Sequence, residues 1–514
     1  MHLLFKNGNA APFLPHCFSQ IAAIIKEKCS FWQAEQMIRI ILSAGSIVVL
    51  VGCSAVGPNF EVPTMDVAPA FILGGDSTLS NAHADPWWQR LNDPILNELV
   101  DRGAEQNLNV RSALERITAA NARLGQTGVN AQSSGSLSAA VQHQGDESGS
   151  ETTNNLSINA GYVIDMFGGF SREQERSVAN LEAAQLDVGT IRLAYLADLA
   201  NSYIQARYYQ ETAAITRQTI ASRRQTLAIV NERRAVEEAT ELEVQQARSL
   251  LASAQAPLPI LVANFEVNVF HIATLLAEPA SPLLEQMQSG APQPHPHGFT
   301  NVGLPADLLR NRPDIRVAEK NLAAATAQIG VAESQLYPSI QLNGTVAAGT
   351  ANGWSFGPLL TLPILNRGLL RGRQQIAQSA ARSAELEWRN SVLIAVEEVQ
   401  VALTLCRNWN RQIQHLERAA SASRSVLRLS RESYQLGEAT LTDVLDAERI
   451  NASNRLDLAD ARRNYALSWM RVQVATGRGW NVEGMAFAAE GQAPVMPSDP
   501  LALEGTVLAS GGNN

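Results

Sequence analysis

Apolar and polar positions change period along this chain in a fixed order, and the order occurs twice. From Asp93-Pro94 to about Gln132 the positions Ile95, Leu99, Leu108, Ala113, Ile117, Ala120 and Leu124 recur at helical spacing. The period then drops to two. Leu137, Ala139 and Val141 alternate with Ser138, Ala140 and Gln142, and after a polar loop Leu156, Ile158, Ala160, Tyr162 and Ile164 alternate with Ser157, Asn159, Gly161 and Val163. This predicts a hairpin with one apolar and one small or polar face. After Phe167-Gly168-Gly169, the stretch from Ser171 to Glu237 contains no proline and only one glycine, Gly189. A helix of about 66 residues, roughly 100 Å long at 1.5 Å per residue, is expected there. No globular core needs such a rod. A break at Glu237 to Thr240 leads into a helix from Glu241 to about Ala277, in which Pro257 and Pro259 fit only as a kink or short interruption.

The same order returns from Leu304. A helix is expected over Asp307 to Leu336, then a strand in which Ile340, Leu342 and Val346 alternate with Gln341, Asn343 and Thr345. A strand face of Trp354, Phe356, Leu360 and Leu362 follows. The second long helix runs from about Arg371 to Leu436 and, past a turn at Gly437, a shorter one from Thr440 to about Thr476. Asn109-Val110-Arg111-x-Ala113 aligns with Asp314-Ile315-Arg316-x-Ala318, and Gly125 with Gly330 at the same offset. Thr240, Glu243, Val244 and Ala247 align likewise with Thr440, Asp443, Val444 and Ala447. A duplication is the economical explanation. The expected organisation is a first repeat at 93–278 with its hairpin at 134–166, a Pro-rich connector at 279–304, and a second repeat at 305–477 with its hairpin at 338–363. A disordered tail is expected at 478–514.

Only Ile38 to Gly52 reads as apolar enough to meet a bilayer as a helix, and it is shorter than the roughly 20 residues needed to span one. It reads as the core of a signal peptide at 37–52, with Arg39 before it and Leu50-Val51-Gly52-Cys53 as the cleavage site. That site resembles a bacterial lipobox. The resemblance implies cleavage before Cys53, lipid on its thiol and amino terminus, and, with Ser54 following, sorting to the outer membrane. Residues 1–36 precede a complete signal and lack its character, so they are expected to be a non-native extension, with translation starting at Met37. Residues 53–92 would form a lipid-anchored extended segment. Of the four cysteines, Cys17 and Cys29 would be lost and Cys53 lipidated, leaving Cys406 without a disulfide partner.

Composition narrows the partners. With 17% charged and 46% hydrophobic residues the chain is that of an ordinary folded protein, and its net charge of -9 is spread without any long basic run. Nucleic acid is excluded as an expected partner. Each strand is about ten residues long, enough to cross a bilayer when tilted. Four strands cannot close a barrel, and open edges are not tolerated in hydrocarbon, so a membrane reading requires several copies; three would give 12 strands. The competing reading is a lipid-anchored periplasmic coiled-coil scaffold without a pore, its strands forming a soluble sheet. The long helices favour the first.

Taken together, several motifs resemble the TolC-type outer membrane factor family, in its NodT-like lipoprotein branch serving RND pumps. They are Val56-Gly57-Pro58-Asn59-Phe60-x-x-Pro63, Trp87-Trp88-x-x-Leu91-x-Asp93-Pro94, Asp165-Met166-Phe167-Gly168 and Leu304-Pro305-x-x-Leu308-Leu309-x-x-Arg312-Pro313-Asp314-Ile315. Ile329-Gly330-Val331-Ala332, Tyr337-Pro338-Ser339-Ile340, Pro363-Ile364 and Tyr434-x-x-Gly437-x-x-Thr440-x-x-Asp443-Val444-Leu445-Asp446-Ala447, together with Cys53 ahead of the Val56 motif, complete the set. The resemblance implies a mixed α and β membrane protein: a homotrimer with a 12-stranded β-barrel in outer-membrane lipid, continued by a long periplasmic α-helical barrel. It implies an exit channel for drugs, metals or other small molecules, partnered by a periplasmic adaptor protein and an inner-membrane pump of RND type. By the same resemblance Glu237, Thr240, Gly437 and Thr440 mark tip turns that meet the adaptor, and Asp443, Asp446 and Arg449 surround the periplasmic aperture. Glu237 stands where a turn glycine is expected, and Ala439 where some members carry an arginine.

No nucleophile elbow, P-loop or dinucleotide fingerprint is present, so no enzymatic activity and no cofactor beyond the lipid on Cys53 are expected. Arg312-Pro313-Asp314 fits a helix start, with proline and an acid in the first turn. His295-Pro296-His297 has no further ligands at metal-binding spacing.

Overall fold

The computed structural model of the protein describes residues 55–74, 78–146, 149–296, 301–350 and 352–481. Two 3₁₀ turns, Ala82–Ala84 and Trp87–Leu91, precede the first repeat. The repeat then runs α1 (Pro94–Gln106), α2 (Leu108–Leu124), a short α3 (Val129–Gln132), β1 (Ser133–Asp146), β2 (Gly149–Ile164) and α4 (Gly169–Ala235). It ends in α5 (Glu241–Gln255) and α6 (Leu258–Leu276). After α7 (Ala280–Gln288), the second repeat comprises a 3₁₀ turn (Pro305–Asp307), α8 (Leu308–Asn311), α9 (Pro313–Ser334), β3 (Ser339–Gly349), β4 (Gly353–Thr361), α10 (Arg367–Gln435) and α11 (Leu441–Ala475). The two rods hold 67 and 69 residues, each about 100 Å long at 1.5 Å per residue.

Four expectations need correction. The helix expected from Asp93 to Gln132 is three helices, because Asn107 caps α2 with its side chain, accepting from the Asn109 and Val110 amides while donating to the Leu275 carbonyl. The Pro-rich connector contains α7, whose Leu283 and Met287 enter the core. The tail does not begin at 478. Gly477 and Gly479, at φ +70° and +82°, turn the chain back, Arg478 binds Asp85, and Trp480 donates to the Asn311 carbonyl at 2.9 Å. Trp480 also packs where a Cβ on Gly189 would stand, which explains the one glycine inside the first rod. Finally, Glu241–Leu276 is also long and apolar enough to cross a membrane by length and composition. It is interrupted after Gln255, where Pro257 precedes α6 as its N-cap and Pro259 sits in the first turn, and Phe265, Val269, Ile272 and Leu276 face the core.

The four strands form one antiparallel sheet in the order β1-β2-β3-β4. Register puts Leu137, Ile158, Val346 and Trp354 in one row and Ser136, Asn159, Thr345 and Ser355 in a row on the opposite face. Among the described residues, the sheet's only substantial helix contacts are with the short α3. The apolar face is therefore bare, and its central row is 56–81% exposed. A soluble sheet would bury that face. Near the sheet the helices lie side by side as α2, α4, α9 and α10; farther away the order is α10, α11, α4 and α5–α6. The edges of this layer fall on the same two flanks as the sheet edges: α2 leads into β1, and β4 into α10.

The core lies mid-length, where Trp87, Trp88, Leu96 and Leu99 pack with Leu199, Tyr203, Ile272, Leu276 and Trp469. Asp93 ties this region together, capping α1 through the Ile95 and Leu96 amides while its second oxygen accepts from the Tyr203 hydroxyl at 2.6 Å. Arg312 begins α9 as expected and also binds Asp314, Glu398 and the Ala475 carbonyl.

Candidate functional site

The end of the molecule far from the sheet is built from two turns of nearly the same design. In each, a long helix ends, the chain passes through a left-handed residue, and a threonine caps the next helix. Glu237 takes φ +63° where Gly437 takes φ +79°, so the non-glycine copy bears the strain rather than changing the turn. Thr240 accepts from the Glu243 amide, and Glu243 accepts from the Thr240 amide at 2.7 Å; Thr440 and Asp443 repeat the arrangement, the latter bond at 2.9 Å. These are capping boxes. The Thr440 hydroxyl and amide both donate to Asp443 and hold its carboxyl below its ordinary value.

The turns are welded together by an apolar cluster of Val230, Ala239, Val244, Ala247, Tyr434, Leu441 and Val444. Arg233 crosses between them, donating to the Tyr434 carbonyl and lying 4.7 Å from that ring's centroid. Burial, with the Glu243 carboxylate adding to it, raises the Tyr434 hydroxyl above its ordinary value. Glu237, Thr240, Gly437 and Thr440 are all exposed at the extremity. Asp443, Asp446 and Arg449 follow one another at three-residue steps on the exposed face of α11, with Arg449 3.2 Å from Asp446.

On the opposite face of α11 lies a group the sequence reading missed. Glu448 is only 2% exposed. Its Oε1 accepts from the Thr226 hydroxyl at 2.7 Å, the Ser222 hydroxyl at 3.2 Å and the Arg431 guanidinium at 2.5 Å. One carboxylate thus joins α4, α10 and α11. The signal was present: Leu441, Val444, Glu448 and Asn451 follow the apolar stripe's spacing, so an acid there had to be buried.

Cys53 and His297 lie outside the described residues. His295 packs against Tyr465, and among the described residues no three His, Cys, Asp or Glu side chains converge as metal ligands. Cys406 is a free, half-buried thiol, pushed up to about 11 by burial.

The sequence pattern of the outer membrane efflux protein family matches residues 100–276 and again 304–478, one match for each repeat. Nodulation protein T of Rhizobium leguminosarum bv. trifolii is 37% identical over 450 residues, covering 84% of this chain and 96% of that protein. The pyoverdine export outer membrane protein OpmQ of Pseudomonas putida is 30% identical over 463 residues, covering 84% and 96%. Among solved structures, the outer-membrane channel OprN superposes with a TM-score of 0.73 at 28% identity, over 83% of this chain and 99% of that one. The open state of the Neisseria gonorrhoeae MtrE outer membrane channel gives 0.75 at 25%, over 83% and 99%.

Proposed function

Because the chain belongs to the outer membrane efflux protein family, we propose that three copies close into a single exit duct, the outer-membrane end of a tripartite pump. The chain is an outer-membrane efflux channel; its assembly and partners are the proposal. The observation that carries it is the coincidence of open flanks. Among the described residues, β1 and β4 lack partners on one side, the sheet's apolar face is bare, and the helix layer ends on the same two flanks. Contact between two different flanks is heterologous and closes into a ring when the rotation permits. The flanks also carry matching apolar surface: Ile260, Val267 and Phe270 are exposed on α6, and an open groove on α10 is lined by Leu393, Val396, Val401 and Leu405. Three sheets then give a 12-stranded barrel with the Leu137–Trp354 row toward lipid and the Ser136–Ser355 row toward water.

In that assembly the long helices form a periplasmic barrel, and the turns at Glu237, Thr240, Gly437 and Thr440 meet a periplasmic adaptor protein linked to an inner-membrane pump of RND type. Three copies of Asp443, Asp446 and Arg449 line the aperture, which opens by realignment of the helix pairs. Cys53 carries the lipid anchor. The pore-free scaffold is disfavoured by the bare apolar face, which water does not tolerate at that size.

Sedimentation of the purified protein in detergent should give the mass of three chains, and Phe270→Asp with Val401→Asp should reduce it to one. A single-chain mass for the unmodified protein refutes the assembly. Asp443→Ala with Asp446→Ala should reduce cation preference in planar bilayers; an unchanged reversal potential removes these residues from the aperture.

A further inference from the structure

The amino-terminal strap is held by a buried charge. Arg172, in the first turn of α4 and 4% exposed, donates through Nε to the Val56 carbonyl at 3.1 Å. Its Nη2 reaches the Gly57 carbonyl at 3.2 Å and Asn59 Oδ1 at 2.8 Å. Its acidic partner, Glu175 at 2.7 Å, is half exposed. The Val56 amide donates to the Phe167 carbonyl at 3.1 Å. Glycines bring the backbones together: a Cβ on Gly168 would meet Ala55, and one on Gly57, at φ +87°, would stand 2.5 Å from Gly330 Cα. The duplication supplies a control. Counting from the start of each long helix, the second rod places Leu370, an ordinary buried apolar residue, where the first places Arg172. The next residue, Arg371, is exposed, so the buried arginine at this turn belongs to the first repeat, where the strap lies.

The strap is held at a particular height. Gly168 lies four residues beyond Ile164, the last residue of β2, which shares a row of the bare apolar face with Ile340 and Leu360. Phe167 and Tyr337 stack there with ring centroids 4.6 Å apart, the aromatic type found at the rim of a membrane band. Cys53 is two residues before Ala55, a reach of about 7 Å.

We propose that Arg172 is a positioning residue for the acylated amino terminus, clamping the strap so that the lipid enters the membrane directly against the barrel wall. The inference rests on the channel reading and on acylation of Cys53. The anchor is then part of the wall, not a loose tether, and its proximity speeds insertion of the sheet beside it.

A six-residue Gly-Ser insertion between Ser54 and Ala55 leaves every clamp contact intact yet frees the lipid to range about 13 Å. Insertion of the full-length acylated protein into phosphatidylethanolamine–phosphatidylglycerol vesicles would be timed by protection of the sheet from protease. Amide exchange at Val56 would be followed in parallel. The insertion variant should fall to the rate of Cys53→Ser while Val56 stays protected. Arg172→Gln should lose both the rate and the Val56 protection, and Arg172→Lys should recover part of each. An insertion variant as fast as the unmodified protein overturns the clamp. Equal rates for the unmodified protein and Cys53→Ser also overturn it, while a channel that still conducts leaves the functional reading intact. Absence of the acyl mass on Cys53 removes the anchor itself.

Discussion

The two ends of the molecule obey opposite rules. At the sheet, large apolar side chains face outward: Leu137, Ile158, Val346 and Trp354 stand exposed in one row, and the neutral Ser136, Asn159, Thr345 and Ser355 face the other way. At the tip the apolar residues Val230, Val244, Leu441 and Val444 are buried, and Asp443, Asp446 and Arg449 are outside. Both ends come from the same duplicated unit. In the proposed assembly each end is built for its own solvent: hydrocarbon around the sheet, water around the tip.

The comparison can be broken by exchanging those rules. Ile158→Arg puts a charge on the exposed apolar face of the sheet, which in the proposed barrel costs about 3 kcal/mol near the bilayer midplane. Membrane-integrated protein should be lost while the helical circular dichroism is retained; normal integration would show that this face does not meet lipid. At the tip, Glu448→Ala removes the counter-charge of Arg431 and should destabilise by about 2 kcal/mol, below the range for a broken buried pair because Arg431 still donates to Ser222 and reaches water. Chemical unfolding would measure this, and Ser222→Ala with Thr226→Val should be milder.

Smaller changes sharpen the likeness of the two tip turns. Thr240→Ala and Thr440→Ala should each cost about 1 kcal/mol through loss of a capping box, by nearly equal amounts. Unequal losses in thermal unfolding would show that the turns carry different loads. Glu237→Gly should stabilise by about 0.5 kcal/mol by relieving the left-handed strain, and Gly437→Ala should do the reverse. Because hydrogen bonds from Thr440 depress the Asp443 carboxyl, its contribution is present above the unfolded value and lost as pH falls through the lower folded one. Asp443→Asn should flatten that acid limb of the stability curve.

The sheet was legible in the sequence because a period of two assigns every residue to a face, and Leu137 through Leu360 fell where the alternation put them. The rods were legible from the near-absence of glycine and proline. Asn107 was missed as a cap because the apolar spacing continues through it. Trp480 was missed because its partner Gly189 is nearly 300 residues away, and only packing shows why a glycine interrupts the rod. The two turns were legible as breaks at Glu237 to Thr240 and at Gly437, whereas Glu448 could have been found from its place on the apolar stripe of α11. The strap's role was invisible because Arg172 gains meaning only when Val56, Gly57 and Asn59 are folded against it.

Single-channel recording of the purified protein in planar bilayers tests the central claim most directly. Discrete conductance steps are expected from the three-chain species, larger or longer in Glu448→Ala, where the link between helix pairs is cut. A correctly folded three-chain species that passes no current in either form would contradict the account.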